Sequence, residues 1–425
     1  KMTFADFNAK VPSINWQAWL KHTMLTKPEV VVIEQPSYFE TINKVMQDTS
    51  IESWKDYFKW HLLSRRANSL SSSFDQENFA FFGTVLSGTT EQEPRWKRAV
   101  NLVNNAAGEL VGRVYVKKHF KPEAKTRMVN MVEILRDAYA DRIKNLAWMS
   151  AEAKVYTLDR IAKFDIKIGY PEVWRDFSKM EINSTDLMAN RIEITRFYVH
   201  RSRSRLGKPI NRSHWDTDPQ SATALSTPAK NQILFPAGYL QAPFFNLNAD
   251  AAINYGAIGA IIGHEIGHGF GYQGLNHDAD GNKKNGWTKE DIIQYKERTE
   301  KLKKQFDAYT VVDGTHVNGE FTQAENIADQ IGLSIAYKAF KANYKGNAII
   351  DGYTPEQRFF LGWGQIWMNK YRDEELLRQI ETNIHSPPEF RTNGILRNLP
   401  EFYQAFDVKP GDGMYLPEQE RVKIL

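Results

Sequence analysis

The stretch "GAIIGHEIGHGF", residues 259–270, constrains this chain more than any other. Its apolar residues predict a helix, yet glycine recurs at positions 256, 259, 263 and 267. Each costs about 1 kcal/mol relative to alanine in a helix interior. Glycine at three- and four-residue steps lies along one face, so a buried helix closely approached by another backbone is expected. His264 and His268 stand at i and i+4 and can offer two imidazole nitrogens to one ion. Glu265 lies about 100° round the helix, beside such an ion, where it can take a proton from an activated water. Two core histidines bonded to backbone groups would show the same spacing, and the motif alone leaves that open.

A hydrolytic zinc site needs a third protein ligand and an open position. "TQAENIADQIGLSIAYKAF" supplies a candidate, with Glu325 and Asp329 again i and i+4 on a helical pattern. Glu325 would complete a His₂Glu set. Asp329, one turn on, could accept the second ring N–H of a ligand histidine and set its tautomer. This second helix is the one expected to meet the glycine face of the first.

The rest of the chain frames these helices. At 425 residues, two or three domains or subdomains are the expectation. A net charge of +4 without a long basic block argues against nucleic acid. No apolar run reaches the length of a membrane span. The absence of cysteine excludes a disulfide framework and thiol chemistry. Up to about residue 185 the sequence predicts mostly helix. Met128, Val132, Leu135, Tyr139, Ile143 and Leu146 recur at three- and four-residue steps after Pro122, as core packing requires. "KIGYPEVWRDF" predicts a short strand and turn. "SATALSTPAKNQILFPAGYL" predicts two short strands about a Pro-Ala-Lys-Asn turn. The expected division is 1–187 and 188–425.

Taken together, these blocks resemble the neprilysin/endothelin-converting-enzyme family of zinc endopeptidases, in its bacterial oligopeptidase-O branch. The resemblance runs through "VNLVNNAAGELVGRVYVKKHF", "IGYPEVWRDF", "ILFPAGYLQAPFFN", "GAIIGHEIGHGF", "DGTHVNGEFTQAENIADQIGL" and "HSPPEFRTNGILRNLPEFYQAF" to the ending "PGDGMYLPEQERVKI". It implies an α+β, mostly α fold. A thermolysin-like catalytic domain (188–425) faces a helical, chamber-forming domain (1–187), which is truncated at its N-terminal side. It implies one Zn²⁺ held by His264, His268 and Glu325, with Glu265 as general base and Asp329 behind the ligands. His385 matches the histidine that stabilises the oxyanion, and Arg391 the arginine that holds the substrate backbone. Phe244, Ile261 and Trp367 match the apolar pocket for the side chain after the scissile bond. Thr223 and Ala224 fall on the edge strand that pairs with substrate.

The sequence departs from the family pattern in several places. Thr223-Ala224-Leu225-Ser226 stands where Asn-Ala and two aromatics are usual, and a threonine cannot match an amide's paired donor and acceptor. Gly271-Tyr272 replaces Asp-Asp, Asn383 replaces an aspartate before His385, and Leu425 ends the chain in place of tryptophan. The opening "FADFNAKVPSINWQAWL" resembles the interior of the helical domain, so a fragment, a cleaved product or one subunit of a heteromer is expected. A second polypeptide could then supply the absent part. The expected function is zinc-dependent hydrolysis of short peptides on the amino side of hydrophobic residues. The alternative is a degenerate zinc- and peptide-binding member with little activity alone, completed or regulated by a partner chain. Bacterial cytoplasm and cell envelope are equally compatible with the composition.

Overall fold

The periodic stretch that follows Lys121 is helical over Pro122–Lys144 in the computed structural model, which describes residues 1–270 and 275–425. Pro122 opens the helix at a position where a missing N–H costs nothing. Met128, Val132, Leu135, Tyr139, Ile143 and the following Leu146 are all buried. Each such side chain contributes roughly 1.5–3 kcal/mol on leaving water. Gly271 and Tyr272, where the family's acidic pair is replaced, lie outside the described residues.

Lys1–Val85 and Ser178–Pro209 make one compact unit; Leu86–Phe177 and Ile210–Leu425 make the other. A single cut at 187/188 does not separate them. The physical reason is a sheet: Asp165–Gly169 pairs in parallel with Gln232–Pro236, joining segments from both sides of that cut. Helical periodicity reveals which face is apolar but not which distant strand will neighbour it.

The first unit is helical, with a short antiparallel pairing of Met2–Thr3 and Val30–Val31. Its small core gathers Phe7, Val11 and Leu20. Phe39 meets Phe7 edge-on at 5.1 Å.

The second unit holds the three-stranded sheet, ordered Asp165–Gly169, Gln232–Pro236, Leu225–Thr227. The last two strands pair antiparallel, with Leu225 opposite Leu234, around the expected Pro-Ala-Lys-Asn turn. Asn231 adopts φ 47°, the left-handed conformation that closes that turn. Gln232–Pro236 is buried throughout, leaving Leu225–Thr227 as an edge strand. Thr223 and Ala224 precede this strand rather than lying in it. A stripe of Trp96, Val100, Val103, Leu110 and Val114 along the helix Arg95–His119 is exposed. Among the described residues, no helix is long and apolar enough to cross a membrane.

Candidate metal centre

A helix over Ala260–Gly267, buried at every residue, carries His264 and Glu265. His268 begins the tighter turn His268–Phe270 that follows. The facing helix, Gln323–Asn343, carries Glu325 and Asp329. Glycine lets the two meet at backbone distance. A β-carbon on Gly263 would lie 2.6 Å from the Gly332 carbonyl oxygen, and one on Gly332 would overlap the His264 amide nitrogen. Gly256 answers to a different neighbour, the backbone of Phe359, and Gly259 has only ordinary contacts. So the glycine stripe serves two helices, not one. The Tyr139 hydroxyl, from Pro122–Lys144, donates to the Gly263 carbonyl oxygen and pins the turn just before His264.

Around Glu325 Oε2 the ring nitrogens converge. His264 Nε2 lies 3.2 Å away, His268 Nε2 3.5 Å and His385 Nε2 3.1 Å. His264 Nε2 and His268 Nε2 are 3.1 Å apart. Ligands on a tetrahedral zinc, with bonds of about 2.0–2.1 Å, sit about 3.3 Å from one another. The triangle His264–His268–Glu325 has all three edges near that length. The donor atoms of His385, His264 and Glu325 also fall within 4.8 Å of one another, with His385 Nε2 beside the same carboxylate oxygen.

Glu325 Oε2 is buried and, among the described residues, receives no well-aligned hydrogen bond, although three ring nitrogens lie within ion-pair distance of it. A carboxylate oxygen in that state costs several kcal/mol unless a cation satisfies it. Burial pushes the Glu325 carboxyl up, but His264, His268 and His385 outweigh it and hold it far below the usual carboxylate range. The donor set, two imidazoles and one carboxylate with an open side, fits zinc.

Behind the ligands, Asp329 Oδ1 lies 2.7 Å from His264 Nδ1. A proton on Nδ1 leaves the Nε2 lone pair directed at the centre. Burial alone would lower His264's affinity for protons, yet Asp329 and Glu325 push it up to about 9 in the metal-free geometry. Arg391, from the helix Pro388–Leu396, donates to both Asp329 oxygens. Its guanidinium also lies 3.9 Å from the Trp367 ring centroid. Arg391 Nη1 hydrogen-bonds none of the described residues.

His385 sits in the loop between Asp373–Thr382 and Pro388–Leu396. Asn383 Oδ1 faces His385 Nδ1 at 3.0 Å and also accepts from its backbone N–H. Ser386 Oγ donates to Asn326 Oδ1 at 2.8 Å, tying this loop to the Glu325 helix. The Glu265 carboxylate hydrogen-bonds none of the described residues, although the residue is only 7% exposed.

The profile of Peptidase family M13 matches residues 1–171 and 224–422, the second span carrying every donor of the centre. The chain belongs to peptidase family M13. It is similar to the endothelin-converting enzyme homolog of Locusta migratoria, 32% identical over 97% of this chain and 60% of that protein. It is 30% identical to human neprilysin over 94% of this chain and 55% of that protein. The chain thus spans between half and two thirds of the curated M13 relatives it matches. The structure of Mycobacterium tuberculosis zinc metalloprotease Zmp1 with an inhibitor superposes with a TM-score of 0.94 at 40% identity. It covers 99% of this chain and 65% of that one. Lactobacillus PepO matches with a TM-score of 0.87 at 27% identity, over 100% of this chain and 66% of that one.

Of the residues singled out in the sequence of this M13 chain, the structure brings His264, His268, Glu325, His385, Asp329 and Arg391 into one linked cluster. Ile261 is buried one turn before His264, and Phe244 and Trp367 are half-buried against the same core. Thr223 is exposed, and Ala224 packs on the core. Sequence reasoning missed two contributors. Gly332 carried no visible signal beyond being a glycine on the ligand helix. Tyr139 read as core.

Proposed function

We propose that this chain carries the centre of a zinc-dependent endopeptidase that hydrolyses short peptides on the amino side of hydrophobic residues. The observation that carries this is the buried Glu325 Oε2 ringed by three imidazole nitrogens, with a Glu265 carboxylate on the same helix as His264 that hydrogen-bonds none of the described residues. His264, His268 and Glu325 would hold the zinc. A bound zinc ion supplies Lewis acidity that polarises a carbonyl and acidifies water. Glu265 takes the proton from the attacking water and returns it to the leaving amine. His385, oriented through Nδ1 by Asn383, presents Nε2 to the oxygen on which negative charge develops. Arg391, held by Asp329, keeps Nη1 for a substrate carbonyl. The edge strand Leu225–Thr227 offers backbone groups for an extended peptide.

Zinc content and cleavage of a quenched peptide library test this, with Glu265→Gln as the partner variant. The expectation is about one zinc per chain in both proteins and loss of at least about a hundredfold in rate for Glu265→Gln. Equal rates for the two proteins would sink the proposal. One observation favours a second reading, of a zinc- and peptide-binding member with little turnover alone. Thr223, where the family places an amide for substrate, is exposed and precedes the strand.

A further inference from the structure

Beside the centre, two consecutive residues of a loop meet two consecutive residues of a helix. His385 Nε2 lies 3.1 Å from Glu325 Oε2, and Ser386 Oγ lies 2.8 Å from Asn326 Oδ1. The first member of each pair reaches the donor atoms. The second is turned into the protein, and both Ser386 and Asn326 are buried.

The direction of the second contact is set by what lies behind it. Asn326 Nδ2 donates to Thr322 Oγ1 at 3.0 Å, and Thr322 Oγ1 donates in turn to the Asn318 carbonyl oxygen at 2.9 Å. With its amide nitrogen so engaged, Asn326 presents its carbonyl end to Ser386, and the serine donates. Thr322 is buried as well. The chain of bonds thus runs one way, from the loop to the main chain just ahead of the Gln323–Asn343 helix.

Little else fixes His385 against that helix. Among the described residues, no main-chain hydrogen bond crosses from residues 384–387 to Gln323–Asn343. Asn383 orients the ring from within the loop, and the contact of Arg391 with Asp329 belongs to the following helix. The His385 side chain is itself 38% exposed, so close packing does not hold it.

We propose that Ser386 is a positioning residue of the reaction. Its bond to Asn326 sets the register of loop against helix, and with it the place of His385 Nε2 at the oxygen that gains negative charge. The inference rests on the peptidase reading of the centre and on the part His385 takes there. Without the hydroxyl, Asn326 Oδ1 is left buried and unpaired, which favours withdrawal of the loop towards water. Misplacing a reacting group by about 1 Å can cost up to about a hundredfold in rate.

The test is a double-mutant cycle on kcat in zinc-loaded protein, with Ser386→Ala, His385→Ala and the two combined. Ser386→Ala is expected to lower kcat about tenfold, with KM and zinc content little changed. In the His385→Ala background the same change is expected to cost less than about twofold, because the group it acts through is gone. A loss of equal size with and without His385 overturns the proposal, since a serine that only supports the fold lowers both alike. No loss in either background overturns it too. Should Ser386→Ala fail to fold, Asn326→Ala breaks the same bond from the helix side and carries the same cycle.

Binding to zinc-loaded Glu265→Gln separates this claim from the peptidase reading. The affinity for a phosphinic peptide, an anionic tetrahedral mimic, is compared with that for the ordinary peptide of the same sequence. Ser386→Ala is expected to lower that ratio about tenfold. A lowered ratio, without any cleavage by the parent protein, sinks the peptidase reading and leaves the placement of His385 by Ser386 standing. An unchanged ratio overturns that placement, whatever the cleavage assay shows.

Discussion

Arg391 holds Asp329 by both carboxylate oxygens, Nε to Oδ2 and Nη2 to Oδ1, each at 2.7 Å. Because Oδ1 also faces His264 Nδ1 at 2.7 Å, one buried carboxylate links Arg391 to His264. Burial pushes the Asp329 carboxyl up, but Arg391 and then His264 prevail and keep it ionised.

Asp329→Asn therefore strikes two properties at once. It removes the charge that orients His264, for which a loss of about 10–100-fold in zinc affinity is expected. It also strands the buried guanidinium of Arg391, at a cost of about 3–5 kcal/mol. Competition with a chromophoric chelator measures the first and denaturant unfolding the second. Arg391→Ala combined with Asp329→Ala should cost less than the sum of the two single changes.

The helix crossing separates two glycines that look alike in sequence. Gly332→Ala puts a methyl into the His264 backbone, so a loss of about 1–3 kcal/mol is expected despite better helix propensity. Gly259→Ala meets nothing nearer than 3.5 Å and should gain up to about 1 kcal/mol. Thermal unfolding of the two variants, each with and without zinc, decides it. A harmless Gly332→Ala would contradict the close crossing.

Asp291 fastens two helices away from the centre. Its carboxylate accepts from the backbone N–H and side chain of both Ser150 and Thr288, the residues that cap Ala151–Ala162 and Lys289–Asp307. Burial raises its pKa, but these bonds outweigh it and hold the carboxyl below the ordinary range. A depressed folded-state pKa gives stability that is full above the unfolded value of about 3.9 and is lost as pH falls through the folded one. Asp291→Ala should cost about 3 kcal/mol near neutral pH. The difference from the parent should shrink as pH falls below about 4. Urea midpoints across pH 2.5–7 (a range of about that width brackets the titration) would show it. A difference that stays constant through the acid range would be the contrary result.

Asn383 is the only hydrogen-bond partner of His385 Nδ1 among the described residues, and its own Nδ2 donates to Gln379 Oε1 at 2.6 Å. Asn383→Ala frees the His385 ring. A fall of about tenfold in kcat, with zinc affinity and KM little changed, is expected of a group that acts on developing charge. Steady-state kinetics alongside zinc titration would separate that from a metal-binding defect.

Much of this centre is legible in the order of its residues. The i, i+4 spacings of His264/His268 and Glu325/Asp329 are local geometry, fixed by the helical repeat itself. The apolar steps along Pro122–Lys144 and the Pro-Ala-Lys-Asn turn are equally local. The resemblance to the family extends this to His385 and Arg391, which spacing alone would leave as a loop histidine and a surface arginine.

Other relationships belong to the tertiary structure alone. That Gly332 rather than a glycine of its own helix backs onto His264, and that Gly256 serves Phe359, depends on which surfaces come together. So does the pairing of Asp165–Gly169 with Gln232–Pro236, which joins segments that a linear division would separate. The sequence by itself determined the donors, the helix faces and the turns, because each rests on dihedral angles within a few residues. Only the fold decided that Asp329 would be shared by His264 and Arg391. Contacts between residues far apart in the chain follow from close packing of whole faces, which no single segment encodes.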